Sequence, residues 1–106
     1  MPPSKHKLLA VLSCHIGRGR GVSVATLAQR IDATERQVRK FVTELRQDGV
    51  AVCGTPADGY YIAGTYQELE QTCSFLRRRA LHSLSLESRL RGMPLADLIG
   101  QLHLNT

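Results

Sequence analysis

The chain has 106 residues, 42% of them hydrophobic, which suits one small domain with an appendage and excludes two independent cores. Fourteen Lys and Arg against nine Asp and Glu give a formal charge of +5, a balance that favours a polyanionic partner. No apolar run has the length of a membrane span, and neither the three cysteines (Cys14, Cys53, Cys73) nor the four histidines fall at disulfide-framework or metal-ligand spacing, so the expectation is a cytoplasmic protein with no metal and no cofactor.

After Pro2 and Pro3, Ser4 is placed to cap a first helix whose stripe is Leu8, Leu9, Leu12 and Ile16, ending at Gly17. The following GRGRGVS has neither a preceding strand nor GxGxxG spacing and reads as a flexible basic connection. Ser23 caps a second, short helix with Val24, Leu27, Ala28 and Ile31 on one face. Asp32 and Ala33 make a tight joint, and Thr34 with Gln37 forms a capping box that opens a third helix. There Val38, Phe41, Val42 and Leu45 face inward, leaving Arg36, Gln37, Arg39, Lys40, Thr43 and Glu44 on or near the open side. Gly49 stops that helix, with Val50 contacting Leu45 as in a Schellman cap.

The hydrophobic period then changes to two: VAVCGT and YYIA flank the turn sequence PADG, giving a hairpin. A second capping box at Thr65 and Glu68 opens a long helix to about Arg91, in which Ser83, Ser85 and Ser88 lower helix propensity. Gly92, Met93 and Pro94 end it, and Leu95, Leu98, Ile99 and Leu102 mark a last amphipathic helix. The fold class expected is therefore mainly α with a small β-hairpin, a domain over residues 1–63 followed by a helical extension over 64–106.

Two short helices joined tightly, the second polar and basic near its start, match the helix-turn-helix arrangement, and a hairpin after it makes the winged variant. The stretch TERQVRKFVTELRQDGVAV and the closing GYYIA carry Val38, Lys40, Val42, Leu45, Arg46, Gly49, Val50, Gly59, Tyr60 and Ile62. In these residues the chain resembles the winged helix-turn-helix at the N-terminus of bifunctional biotin ligase/repressors and related small bacterial and phage regulators. The resemblance covers residues 5 to 63 in outline, about thirty of them closely, and implies a sequence-specific, double-stranded-DNA-binding transcriptional regulator, most simply a repressor. Nothing after Thr65 resembles a ligase domain.

Side-chain chemistry assigns base contacts to Arg36, Gln37 and Arg39, and DNA-backbone contacts to Arg20, Ser23, Thr34, Lys40 and Thr43. Residues 1–63 hold nine bases and five acids while 64–106 hold five and four, so the first part is expected to attract the anion. The hairpin turn carries Asp58 and no base, which predicts that its tip repels phosphate; one of Tyr60 and Tyr61 is expected to pack inward. Arg77, Arg78 and Arg79 point about 100° apart on a helix and form no single patch. Leu69, Cys73, Leu76, Ala80, Leu84, Leu90, Leu98, Ile99 and Leu102 are expected to join two chains into a homodimer. The alternative is a winged-helix protein-interaction or assembly module without specific DNA recognition. No catalytic arrangement of Ser-His-Asp, Cys-His or paired acids is found, so the protein is not expected to be an enzyme.

Overall fold

In the computed structural model, which describes residues 2–104 with side chains through residue 102, five α-helices and one two-stranded antiparallel hairpin make a mainly helical protein. The outermost residues of the expected segment limits, 1, 105 and 106, lie outside that description. The elements run α1 (Lys5–Leu12), a 3-10 turn (Arg18–Arg20), α2 (Val24–Ile31), α3 (Glu35–Gln47), β1 (Val52–Thr55), β2 (Gly59–Ile62), α4 (Tyr66–Arg91) and α5 (Leu95–Leu104). No helix among the described residues is long and apolar enough to cross a membrane.

Local chemistry sets most of the boundaries. The Ser4 and Ser23 hydroxyls accept from the N–H groups of Lys7 and Thr26, and Thr34 and Gln37 exchange both bonds of a capping box. At the far end of α3, Gly49 sits at φ 87°, Val50 N–H reaches the Leu45 carbonyl at 2.9 Å and Gly49 N–H reaches Arg46, the expected Schellman closure. Gly92 repeats it at the end of α4, at φ 66° with Met93 N–H on the Ser88 carbonyl. The serines of α4 do not break it; Ser88 donates back to the Ser85 carbonyl inside one helix.

The first helix stops earlier than its apolar stripe predicts. It ends at Leu12, and Ile16, expected on the buried stripe, is 54% exposed and bridged to Ile62. The cause is competition for backbone partners: Gly17 N–H donates to the Ile62 carbonyl and Ile62 N–H to the His15 carbonyl, both at 2.8 Å, and an unbroken helix would deny both.

Contacts divide the chain into two compact units, residues 1–72 and 73–106, the division falling inside α4. In the first, Leu8, Leu12, Leu27, Ile31, Val38, Val42, Leu45 and Val52 form one buried cluster, with Phe41 half-buried beside it. Each fully buried aliphatic side chain contributes about 1.5–3 kcal/mol. Tyr61 is the tyrosine that packs inward, 1% exposed, while Tyr60 stays half-buried.

This unit continues past residue 63 because Glu68 binds it. Thr65 accepts from Glu68 N–H as the capping box requires, while the Glu68 carboxylate accepts chiefly from the N–H groups of Gly64 and Arg18, each at 2.8 Å, and the Glu68 carbonyl lies 3.7 Å from the Cys53 thiol. The Arg18 and Gly64 amides hold the Glu68 carboxyl below its ordinary value of 4.5. A lowered carboxyl contributes stability that is present above its ordinary pKa and is lost as pH falls through the lowered one. Glu68→Gln is therefore expected to lower the melting temperature at neutral pH and to flatten its decline below about pH 4.5, as followed by circular dichroism across a pH series; a parent-like acid decline in the variant would contradict the assignment.

Candidate nucleic-acid interface

The site begins with what holds α2 and α3 in place. β2 forms pairs along both edges. Val52, Cys53, Gly54 and Thr55 pair with Ile62, Tyr61, Tyr60 and Gly59 on one side. On the other, Tyr60 and Val22 exchange N–H to carbonyl bonds at 2.8 and 2.9 Å, and Ile62 pairs with His15 and Gly17. The hairpin is thereby joined to the connection between α1 and α2, one residue before the Ser23 cap. Gly21 makes this approach possible, since a Cβ there would overlap the Asp58 carbonyl, and Gly59 at φ 72° presses equally against the Val22 backbone.

From Ser23, α2 runs to Ile31, and Asp32 reverses the chain at φ 56° and ψ 53°, a left-handed conformation that Asp tolerates. Ala33 and Thr34 complete the joint. Because Val38, Val42 and Leu45 are buried, the opposite side of α3 carries Arg36, Gln37, Arg39, Lys40 and Thr43, all exposed.

The electrostatics sort these residues further. Six of the nine bases in the first unit already have acceptors: Lys5 on Asp48, Lys7 on the Ile31 carbonyl, Arg18 beside Asp58, Arg30 on His15, Arg39 beside Glu35 and Arg46 on the Val52 carbonyl. Arg20, Arg36 and Lys40 have none among the described residues. Arg39 is only loosely held, since its pair with Glu35 spans 3.6 Å with both side chains more than half exposed.

Three expected contacts carry other duties. The Gln37 side-chain carbonyl accepts from Thr34 N–H, so a bidentate contact to adenine would compete with its cap; its amide NH₂ remains available. Thr43 donates to the Arg39 carbonyl, and Ser23 donates to the Thr26 hydroxyl.

Three features escape a reading of the sequence. Asp58 is not a bare acid, because its carboxylate accepts from the Thr55 hydroxyl at 3.1 Å and lies 3.7 Å from Arg18 Nε. Tyr61, Asp58 and Glu68 around Arg18 raise its pKa further above the ordinary arginine value, with Tyr61 the largest cause. His15 links the Arg20 carbonyl at Nδ1 to Arg30 at Nε2, at 2.8 and 2.9 Å. Only the glycine spacing of GRGRG hints at this close packing; the partners are distant in sequence.

Charge by unit also differs from expectation. Residues 1–72 hold nine bases and seven acids, and residues 73–106 hold five and two, so the surplus of the first part falls to two, below the three of the second, once Glu68 and Glu70 are counted with it. What distinguishes the first unit is the position of its unpaired bases. Of the residues expected to join two chains, Leu69 and Leu84 are half-buried, Cys73, Leu76, Ala80, Leu90, Ile99 and Leu102 are exposed, and Leu98, 3% exposed, is already buried in the single chain. Comparison with protein-family profiles, curated proteins and solved structures gave no match.

The contact at Gly21 has a direct consequence. Gly21→Ala is expected to destabilise the protein by about 1–3 kcal/mol, because the Asp58 carbonyl is backbone and cannot rotate away. Urea denaturation measures it; Gly19→Ala, whose Cβ meets nothing within 4 Å, is the matched control and should stay near the parent.

Proposed function

We propose that this protein is a winged helix-turn-helix regulator that binds double-stranded DNA in a sequence-specific way, with α3 in the major groove, and that it represses transcription as a homodimer occupying a two-fold operator. The observation that carries this reading is the distribution of bases without acceptors. Of nine bases in the first unit, the three left unpaired are Arg20, Arg36 and Lys40, two of them on the exposed face of α3. Solvated bases opposite a core face are ordinary on any helix; a residue set in which every other base is matched leaves these as the ones available to phosphate or guanine.

The hairpin supports the same reading. Asp58, the acid that would repel phosphate, is offset by Arg18, and the double pairing of β2 fixes the hairpin beside the start of α2. In this reading Arg36 makes a guanine contact, Arg39 makes another by leaving its loose 3.6 Å pair with Glu35, Gln37 donates from its NH₂ to a base acceptor, and Arg20 and Lys40 meet phosphates. The hydroxyls of Ser23, Thr34 and Thr43 supply shorter backbone contacts. One short helix reads few base pairs, and a dimer on a palindrome multiplies that discrimination.

Selection from a random duplex library tests the proposal, a recovered two-fold motif supporting it and an unenriched pool opposing it. On the recovered site, Arg36→Ala and Arg39→Ala are each expected to cost about 1–3 kcal/mol and to relax preference at one position. Lys40→Ala should instead weaken cognate and random duplexes alike, as read by fluorescence anisotropy. Equal losses on both duplexes from all three changes would remove the base-reading roles.

A further inference from the structure

At the start of α3 the side-chain oxygens are engaged and the N–H groups are left over. In the capping box the Thr34 hydroxyl oxygen accepts from Gln37 N–H at 3.1 Å, and the Gln37 side-chain carbonyl accepts from Thr34 N–H at 2.9 Å. The second bond fixes which end of the Gln37 amide is which, because a backbone N–H only donates and must face oxygen rather than nitrogen. The Gln37 NH₂ remains, on an exposed side chain, with no acceptor among the described residues.

Its neighbours on the helix surface are donors as well. Arg36, Lys40 and Gln37 share an arc of about 100°, whereas Glu35, the acid of the first turn, lies about 160° round the helix from Gln37 and is turned to Arg39. Base edges in the major groove answer such a set unequally. Guanine shows two adjacent acceptors, N7 and O6, and thymine shows O4; adenine sets an N6 amino group beside its N7, and cytosine shows only its N4 amino group. The usual contact of glutamine with adenine needs the side-chain oxygen for N6 and the nitrogen for N7 together. Here that oxygen is engaged, and swinging it to adenine would leave Thr34 N–H without an acceptor just where a docked duplex displaces the water that would replace it.

We infer that Gln37, held by its own cap, sets specificity for a keto base: it donates its NH₂ to guanine first and to thymine O4 second, and discriminates against adenine and cytosine, whose amino groups would face its hydrogens. This rests on the DNA reading above and adds the base class at one operator position. The bond that starts the helix thus also selects the base, since it withholds the one oxygen that adenine requires.

Duplex selection with the full chain and two variants tests the inference. Gln37→Glu keeps both bonds of the capping box, in which glutamate fills the same place, and puts an oxygen where the NH₂ was. Gln37→Ala removes the reader and half of the box; circular dichroism checks that each variant folds, and Gln37→Glu serves alone if Gln37→Ala does not. The operator position read by Gln37 is the one whose preference changes. There the parent should bind guanine roughly tenfold more tightly than adenine, with thymine between, and Gln37→Glu should reverse the order, taking cytosine or adenine over guanine by a similar factor. The added carboxylate weakens every duplex, so ratios between duplexes are compared within one protein. Adenine preferred by the parent, a guanine preference kept by Gln37→Glu, or no position altered by a folded variant would each overturn it. A two-fold motif with adenine at that position leaves the DNA reading standing and removes this one, whereas an unenriched pool removes both.

Discussion

The architecture of the first unit depends on β2 having no free edge. Four residues accept β1 on one side and the connection between α1 and α2 on the other, Tyr60 and Ile62 giving their N–H and carbonyl groups to Val22, His15 and Gly17. Unpaired strand edges cost backbone hydrogen bonds and invite association, and here the cost is removed by a loop. Several features follow. The first helix ends at Leu12 so that His15 and Gly17 reach the strand; position 21 must be glycine because the Asp58 carbonyl occupies the space of a side chain; α2 starts at Ser23, one residue after the Val22 pair. The orientation of α3 is thus set by the backbone of a hairpin that follows it in the chain.

Charge is handled in the same economical way. Four acids of the first unit are matched within the fold, Asp48 by Lys5, Asp58 by Arg18, Glu68 by two backbone amides and Glu35 loosely by Arg39, whereas Asp32 and Glu44 form no ion pair among the described residues. Lys5 on Asp48 also ties α1 to the end of α3, and its pKa is raised by that bond. Net charge divided by unit is uninformative, since the second unit is the more basic, with five bases to two acids. A distinction appears only when each base is assigned its acceptor, and it falls on Arg20, Arg36 and Lys40.

How much of this was legible in the sequence follows the range of the interactions. Caps span three or four residues, and Ser4, Ser23, Thr34 with Gln37 and Gly49 all stand where local pattern puts them. The switch of hydrophobic period at Gly49 marked the hairpin, and the inward face of α3 followed from Val38, Val42 and Leu45. What pattern could not supply was any bond between residues far apart. Thr65 N-caps α4 through Glu68 N–H as a local reading expects, yet the Glu68 carboxylate serves Arg18, fifty residues earlier. The end of α1 was misplaced for the same reason, because the stripe Leu8, Leu12, Ile16 is a sound helical pattern until a distant strand claims its last residues. Arg36, Gln37 and Arg39 were visible as an exposed polar set; that Gln37 is partly committed to its own cap required the side-chain geometry.

The claim at the centre of this account is that unpaired bases on and beside α3 meet DNA phosphates and guanines. Its most direct measurement is the equilibrium binding of the full chain to duplex DNA as salt is varied. Each phosphate neutralised contributes about −0.9 to the slope of log K against log salt, so the two phosphate contacts of Arg20 and Lys40 predict a slope of about −2 per protomer engaged. A slope of that size, shallower by about one in Lys40→Ala, is the expected result. A slope near zero, or no duplex binding at low salt by a folded protein, would contradict the account.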